Sequence, residues 1–139
     1  MTQSISLPRT LANRLLTLAQ STPDAEVCGL ISTNNNSNKK YQVYPIENIS
    51  DNPACIFEMQ PQQQIDAFKK IRQQKHQLFA IYHSHPTSEA VPSTKDLHDA
   101  AYNEVLNIII SLNMKGVLDM RGYLYKQDQF EAVDLIIEW

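Results

Sequence analysis

His83 and His85 stand two residues apart in the run Tyr82-His-Ser-His-Pro86, seven residues then intervene, and Ser93-Thr-Lys-Asp96 follows. In extended chain, residues i and i+2 project from one face, so this spacing sets two imidazoles side by side. Two imidazoles are half of a tetrahedral zinc site. Pro86 turns the chain out of the strand. A helix opening at Ser93 puts Ser93 and Asp96 on one side of its first turn, and folded back over the strand end it would supply a carboxylate as third ligand. Two histidines and one carboxylate leave a fourth position for water, the layout of a catalytic rather than a structural zinc.

None of those three ligands is free to take a proton from that water. Glu26 is the candidate acceptor, because it opens the apolar run Glu26-Val-Cys-Gly-Leu-Ile31. If that run is a strand beside residues 78–83, its carboxylate could reach the water, take a proton and return it to a leaving amine. Ser93 could donate a hydrogen bond to the oxyanion formed at a carbonyl under attack. Each piece also has a plainer reading. Ser93-x-x-Asp96 is a helix capping box, which is compatible with a second role. Paired histidines can decorate a surface, and a glutamate ahead of a strand can be a solvated edge residue. It is their joint occurrence that points to a site.

The elements that must position these groups are legible in the periodicity. Leu7, Leu11, Leu15 and Leu18 recur at helical spacing over 8–20. Val27–Ile31 is a short strand, the apolar-free stretch 34–40 a hairpin tip, and 41–45 the returning strand. Asn48–Pro53 is turn-rich. Pro61 suits the first turn of a second helix carrying Ile65, Phe68 and Ile71. Leu78–Tyr82 is apolar throughout, as a central strand covered on both faces must be. A short helix from about Thr94 to Tyr102 follows, then strands at 106–112, 117–125 and 130–139. Strands outnumber the helices inserted between them, which predicts one α+β domain with a mixed sheet over residues 1–139.

His83-x-His85, Ser93-x-x-Asp96 and an upstream Glu26 resemble the signature of the JAMM (MPN-plus) zinc metalloproteases. The element order resembles that fold as well. The wording Glu26-x-Cys28-Gly29-Leu30 and Tyr82-His-Ser-His-Pro86 is similar to short stand-alone prokaryotic members. The resemblance implies an MPN-like, cytidine-deaminase-like central β-sheet flanked by helices. It implies one Zn²⁺ per chain held by His83, His85 and Asp96, with Glu26 as general acid/base and Ser93 as oxyanion stabiliser. It also implies cleavage of a peptide or isopeptide bond after the C-terminal Gly-Gly of a ubiquitin-like or sulfur-carrier protein. A Gly-Gly tail can lie extended in a groove too narrow for side chains and pair with a strand edge. Other readings of the same residues are a RadC-like domain of a DNA-repair-associated family and a non-catalytic scaffold of the same fold.

Composition bounds these readings. The chain has 139 residues, 42% hydrophobic and 19% charged, which is ordinary globular usage and excludes a disordered tail. A net charge of -3 offers no electrostatic basis for nucleic-acid binding, which weighs against the RadC-like reading. The sequence shows neither a membrane-spanning apolar run nor a secretion signal, so a cytoplasmic setting is expected. Cys28 and Cys55 are expected to be small buried fillers without a bridge between them. His76 and His98 are expected at the surface, Ser84 beneath its strand facing away from the histidines, and Trp139 as a lid on the sheet.

Overall fold

The computed structural model describes residues 3–34, 36–100, 102 and 104–138, with backbone alone at His98 and Asp99. The elements run β1 (Ser4–Pro8), α1 (Arg9–Ser21), β2 (Cys28–Thr33), β3 (Tyr41–Ile46), α2 (Pro61–Gln73), β4 (Gln77–His85), α3 (Thr94–Asp99), β5 (Leu106–Ser111), β6 (Asp119–Lys126) and β7 (Gln129–Glu138). The seven strands form one sheet in the order β1-β7-β6-β5-β4-β2-β3. The β4–β5 and β1–β7 pairs are parallel and the other four antiparallel, so the sheet is mixed as expected. No helix among the described residues is long and apolar enough to cross a membrane.

The uninterrupted apolar run of β4 reflects its place between β2 and β5, with helices on both faces. Ala80 and Tyr82 of β4 join Ile108 and Ile110 of β5 against Leu11, Leu15 and Ala19 of α1. Ile81 points the other way and packs with Leu30 of β2 and with Ala67 and Ile71 of α2. Burying each such Leu or Ile contributes roughly 1.5–3 kcal/mol. The period of two then carries His83 and His85 to the α2 side and Ser84 to the α1 side. Pro61 sits in the first turn of α2, and the Gln60 side chain caps that helix by accepting from the Gln63 N–H at 2.6 Å.

Three boundaries differ most from the sequence reading. Leu7 belongs to β1 rather than to the first helix: Ser4–Pro8 pairs in parallel with β7, a long-range contact that five residues with two apolar side chains do not announce. Helix α3 stops at Asp99 instead of continuing to about Tyr102, because Ala100 turns to extended backbone (ψ 129). The strand after the β5–β6 loop begins at Asp119, and Val117 is exposed ahead of it. The Trp139 lid and the His98 side chain lie outside the described residues.

Gly29 lies opposite Tyr82 in the β2–β4 ladder and Pro45 in the β2–β3 ladder. A Cβ there would collide with the Tyr44 carbonyl oxygen and stand 2.5 Å from the Tyr82 hydroxyl and 2.7 Å from its ring. The bare backbone is what admits the fully buried Tyr82 ring beneath β2. Gly29→Ala is therefore expected to cost about 2 kcal/mol or more in urea unfolding, the scale of core overpacking. An unchanged denaturation midpoint would contradict the close packing.

Candidate metal centre

The antiparallel pairing of β2 with β4 sets Cys28 opposite His83 and brings the start of β2 to the end of β4. Beyond the ladder, Ser84 and Val27 extend the contact reciprocally. The Val27 N–H donates to Ser84 Oγ at 2.9 Å and the Ser84 N–H donates to the Val27 carbonyl at 3.0 Å. Ser84 is fully buried on the face away from the histidines, as expected. Glu26, next in line, is fixed on both sides of its peptide. Its N–H donates to the Pro53 carbonyl at 2.7 Å, and its carbonyl accepts from Asn48 Nδ2 at 2.9 Å.

Glu26, His83, His85 and Asp96 each contribute one ligand atom to a set lying within 4.8 Å of one another. His83 Nε2 and His85 Nε2 are 3.1 Å apart, and each is 3.2 Å from Asp96 Oδ2. Three donors on a tetrahedral zinc with bonds of 2.0–2.1 Å stand about 3.3–3.4 Å apart, so the triangle has the right size. Protonation states sharpen the fit. His85 Nδ1 lies 2.7 Å from the Glu89 carbonyl, which can only accept, so Nδ1 carries a hydrogen, and in the neutral ring Nε2 is the nitrogen left with a lone pair for a cation. Asp96 Oδ2 already accepts the Ser93 N–H at 2.9 Å. One proton cannot serve three lone pairs pointed at a common centre, whereas a cation can.

The capping-box reading and the ligand reading of Ser93-x-x-Asp96 describe one arrangement. Ser93 is the N-cap of α3, and its Oγ accepts from the Asp96 N–H at 2.9 Å while its own N–H holds the Asp96 carboxylate. The cap thus aims the carboxylate at the histidines. Ser93 itself is exposed, and its hydroxyl hydrogen is not needed for the cap. The His83 ring is held by stacking on Phe57, with centroids 4.5 Å apart and planes 25° from parallel.

The titration behaviour follows from burial and proximity. Burial pushes the Glu26 carboxyl up to about 7; the neighbouring His85 works against this and Asp96 adds to it. Burial also lowers His83, outweighing its bond to Asp96. Burial opposes charge on His85 too, but there the Asp96 bond, the Glu89 carbonyl and two nearby carboxylates prevail and raise it. For Asp96, burial would raise the carboxyl, yet hydrogen bonds from both histidines hold it well below the usual carboxylate range.

A cleft of about 510 Å³ opens beside the cluster, lined by Phe57, Met59, Ile81, His83, Asp96 and Tyr102 among others. Its wall, the segment around 56–59, is tied to Glu26 by Asn48. Asn48 donates to the Glu26 and Ile56 carbonyls and accepts from the Ser50 and Glu58 N–H groups. Neither Asn48 nor Phe57 was singled out by the sequence. Both sit in a turn-rich stretch whose composition signals a loop but not its partners.

A model of the family described as prokaryotic homologs of the JAB domain matches residues 8–122, a range that holds all four clustered residues. The chain belongs to this family. The JAMM/MPN-plus resemblance is thereby borne out. This JAB-domain chain is 25% identical over 116 residues to a desampylase of Haloferax volcanii, covering 84% of this chain and 81% of the relative. Over 61 residues it is 33% identical to a probable TtuB-protein conjugate cleaving protease of Thermus thermophilus, covering 44% and 41% of the two. A protein of Desulfitobacterium hafniense, solved in solution, shares the fold with a TM-score of 0.82 at 26% identity, covering 96% of this chain and 92% of that one.

The cysteines of this JAB domain part company. Cys28 is buried as expected, donates to the Ile46 carbonyl at 3.4 Å, and has its thiol pushed up to about 12 by burial, with Glu26 adding to the effect. Cys55, expected buried, is exposed in the turn 51–55 of the loop after β3. His76, expected solvated, is half-buried, and its Nδ1 is enclosed without a hydrogen-bond partner among the described residues. One thiol per native chain, that of Cys55, is expected to react promptly with an aromatic disulfide reagent, the second only in denaturant. Two prompt thiols would contradict the placement of Cys28.

Proposed function

We propose that this chain is a zinc-dependent hydrolase that cleaves the peptide or isopeptide bond after the C-terminal Gly-Gly of a ubiquitin-like carrier. The observation that carries the reading is the convergence of Glu26, His83, His85 and Asp96 beside an open cleft. The printed names of the relatives, a desampylase and a conjugate-cleaving protease, support the substrate class. The two free cysteines fit a reducing cytoplasm.

His83, His85 and Asp96 would hold the zinc. When bound, the ion supplies a Lewis acid that lowers the pKa of water and polarises a carbonyl. Glu26 takes the proton of the attacking water as the new carbon–oxygen bond forms. It then hands that proton to the amine nitrogen as the carbon–nitrogen bond breaks. A carboxyl titrating about 7 suits both directions of transfer at neutral pH. Ser93 donates its hydroxyl hydrogen to the oxyanion, and the tail lies extended in the cleft against the segment around 56–59.

Glu26→Gln is expected to retain one zinc per chain while cleavage of a Gly-Gly-terminated carrier fusion falls by about two decades or more. Wild-type turnover in that variant would overturn the mechanism. His85→Ala is expected to abolish zinc loading, measured by metal analysis, while the circular dichroism spectrum stays folded. Global unfolding would instead identify a structural metal.

A further inference from the structure

Three consecutive carbonyls in the loop after β4 each have a separate donor. The Ser88 carbonyl accepts from Ser111 Oγ of β5 at 2.6 Å. The Glu89 carbonyl accepts from His85 Nδ1 at 2.7 Å, and the Ala90 carbonyl accepts from the Tyr123 hydroxyl of β6 at 2.7 Å. The Tyr123 bond is buried, and Ala90 is packed without exposure against Ile109 and Tyr123, with Phe130 alongside. The loop is also turned on itself by the Val91 N–H, which donates to the Glu89 carbonyl at 2.8 Å.

We propose that Ser111 and Tyr123 are positioning residues of the metal centre, which clamp residues 88–90 so that the Glu89 carbonyl locks His85 in the Nδ1–H form with Nε2 facing His83 and Asp96. The inference rests on reading that cluster as a metal site. The physical case is one of tautomers. A neutral imidazole carries one hydrogen, and only with it on Nδ1 is Nε2 a ligand. In water the other tautomer is comparably accessible. An aimed carbonyl removes it, and a carbonyl on a free loop could not stay aimed. Ser111 and Tyr123 come from the two strands beyond β4, so the sheet itself acts as the jig. His83 has no such partner among the described residues: its Nδ1 is buried without a hydrogen bond to any of them, and stacking on Phe57 orients it instead.

The test compares the full chain with Tyr123→Phe, Ser111→Ala and the double variant. Zinc affinity is read by competition with a chromogenic chelator. The His85 tautomer is read from imidazole nitrogen shifts of the metal-free protein at a pH high enough to keep the ring neutral. Wild type is expected to show a single Nδ1–H form. The double variant is expected to show a mixture and to bind zinc about tenfold more weakly or worse, the cost of losing support behind a metal ligand. Tyr123→Phe, which lacks one oxygen, is expected to move both readouts in the same direction, with Kd raised about threefold.

Val133→Ala, in the core beneath α1, serves as the control for destabilisation alone. It is expected to lower the melting temperature without changing zinc affinity or tautomer. Single and double variants that keep the pure Nδ1–H form and wild-type zinc affinity would overturn the positioning role and leave the metal reading standing. Failure of wild type to bind zinc would overturn the metal reading. The tautomer comparison would then still decide whether the clamp acts on His85.

Discussion

Glu26 and the two histidines lie more than fifty residues apart in sequence, and the register that sets Cys28 opposite His83 brings them within reach of one ion. The rest of the site depends on that register. A slip of one residue would turn both imidazoles to the α1 face and leave Ser84 among the acidic groups. Several features guard against it. Ile81 and Tyr82 anchor β4 in opposite cores, Gly29 admits the Tyr82 ring close beneath β2, and the reciprocal Ser84–Val27 bonds hold the strand ends beyond the ladder. Apolar packing and backbone pairing thus set up a polar cluster that would not gather by itself, since burial strips water from every member.

That burial, set against the bonds between the members, explains the protonation pattern. Two carboxylates and two imidazoles in a largely buried space cannot all take their ordinary states. The structure distributes the cost unevenly. Asp96 is kept ionised by the histidines and by the Ser93 N–H, while Glu26, with no hydrogen bond to its buried Oε1, is left near neutrality. Two carboxylates a few ångströms apart are therefore left in different protonation states. The division follows from which of them accepts hydrogen bonds, Asp96 from both imidazoles and from the Ser93 N–H.

Much of this was readable from residue types alone. The strand at 78–82, the two longer helices and the strand returning from the Asn-rich hairpin each carry a period or punctuation that local physics imposes. The spacing of Ser93 and Asp96 follows from capping geometry that six residues of helix suffice to enforce. The features that sequence did not reveal are those defined by partners far along the chain. β1 exists because β7 offers an edge, and Asn48 matters because four backbone groups from three segments converge on its amide. Cys55 and His76 exchanged their expected environments for a similar reason. Burial at a loop or at a strand entrance depends on what lies overhead, which composition does not encode.

The placement of Cys28 bears on which metals the protein can take. A thiol lies directly across the ladder from His83, and a thiolate there would favour soft ions such as cadmium or cuprous copper. The sulfur instead points its hydrogen at the Ile46 carbonyl and is kept protonated by burial and by Glu26. The converging ligand atoms are then nitrogen and oxygen alone. Burial, to which the neighbouring carboxylate adds, thus keeps a soft ligand silent beside a nitrogen-and-oxygen set.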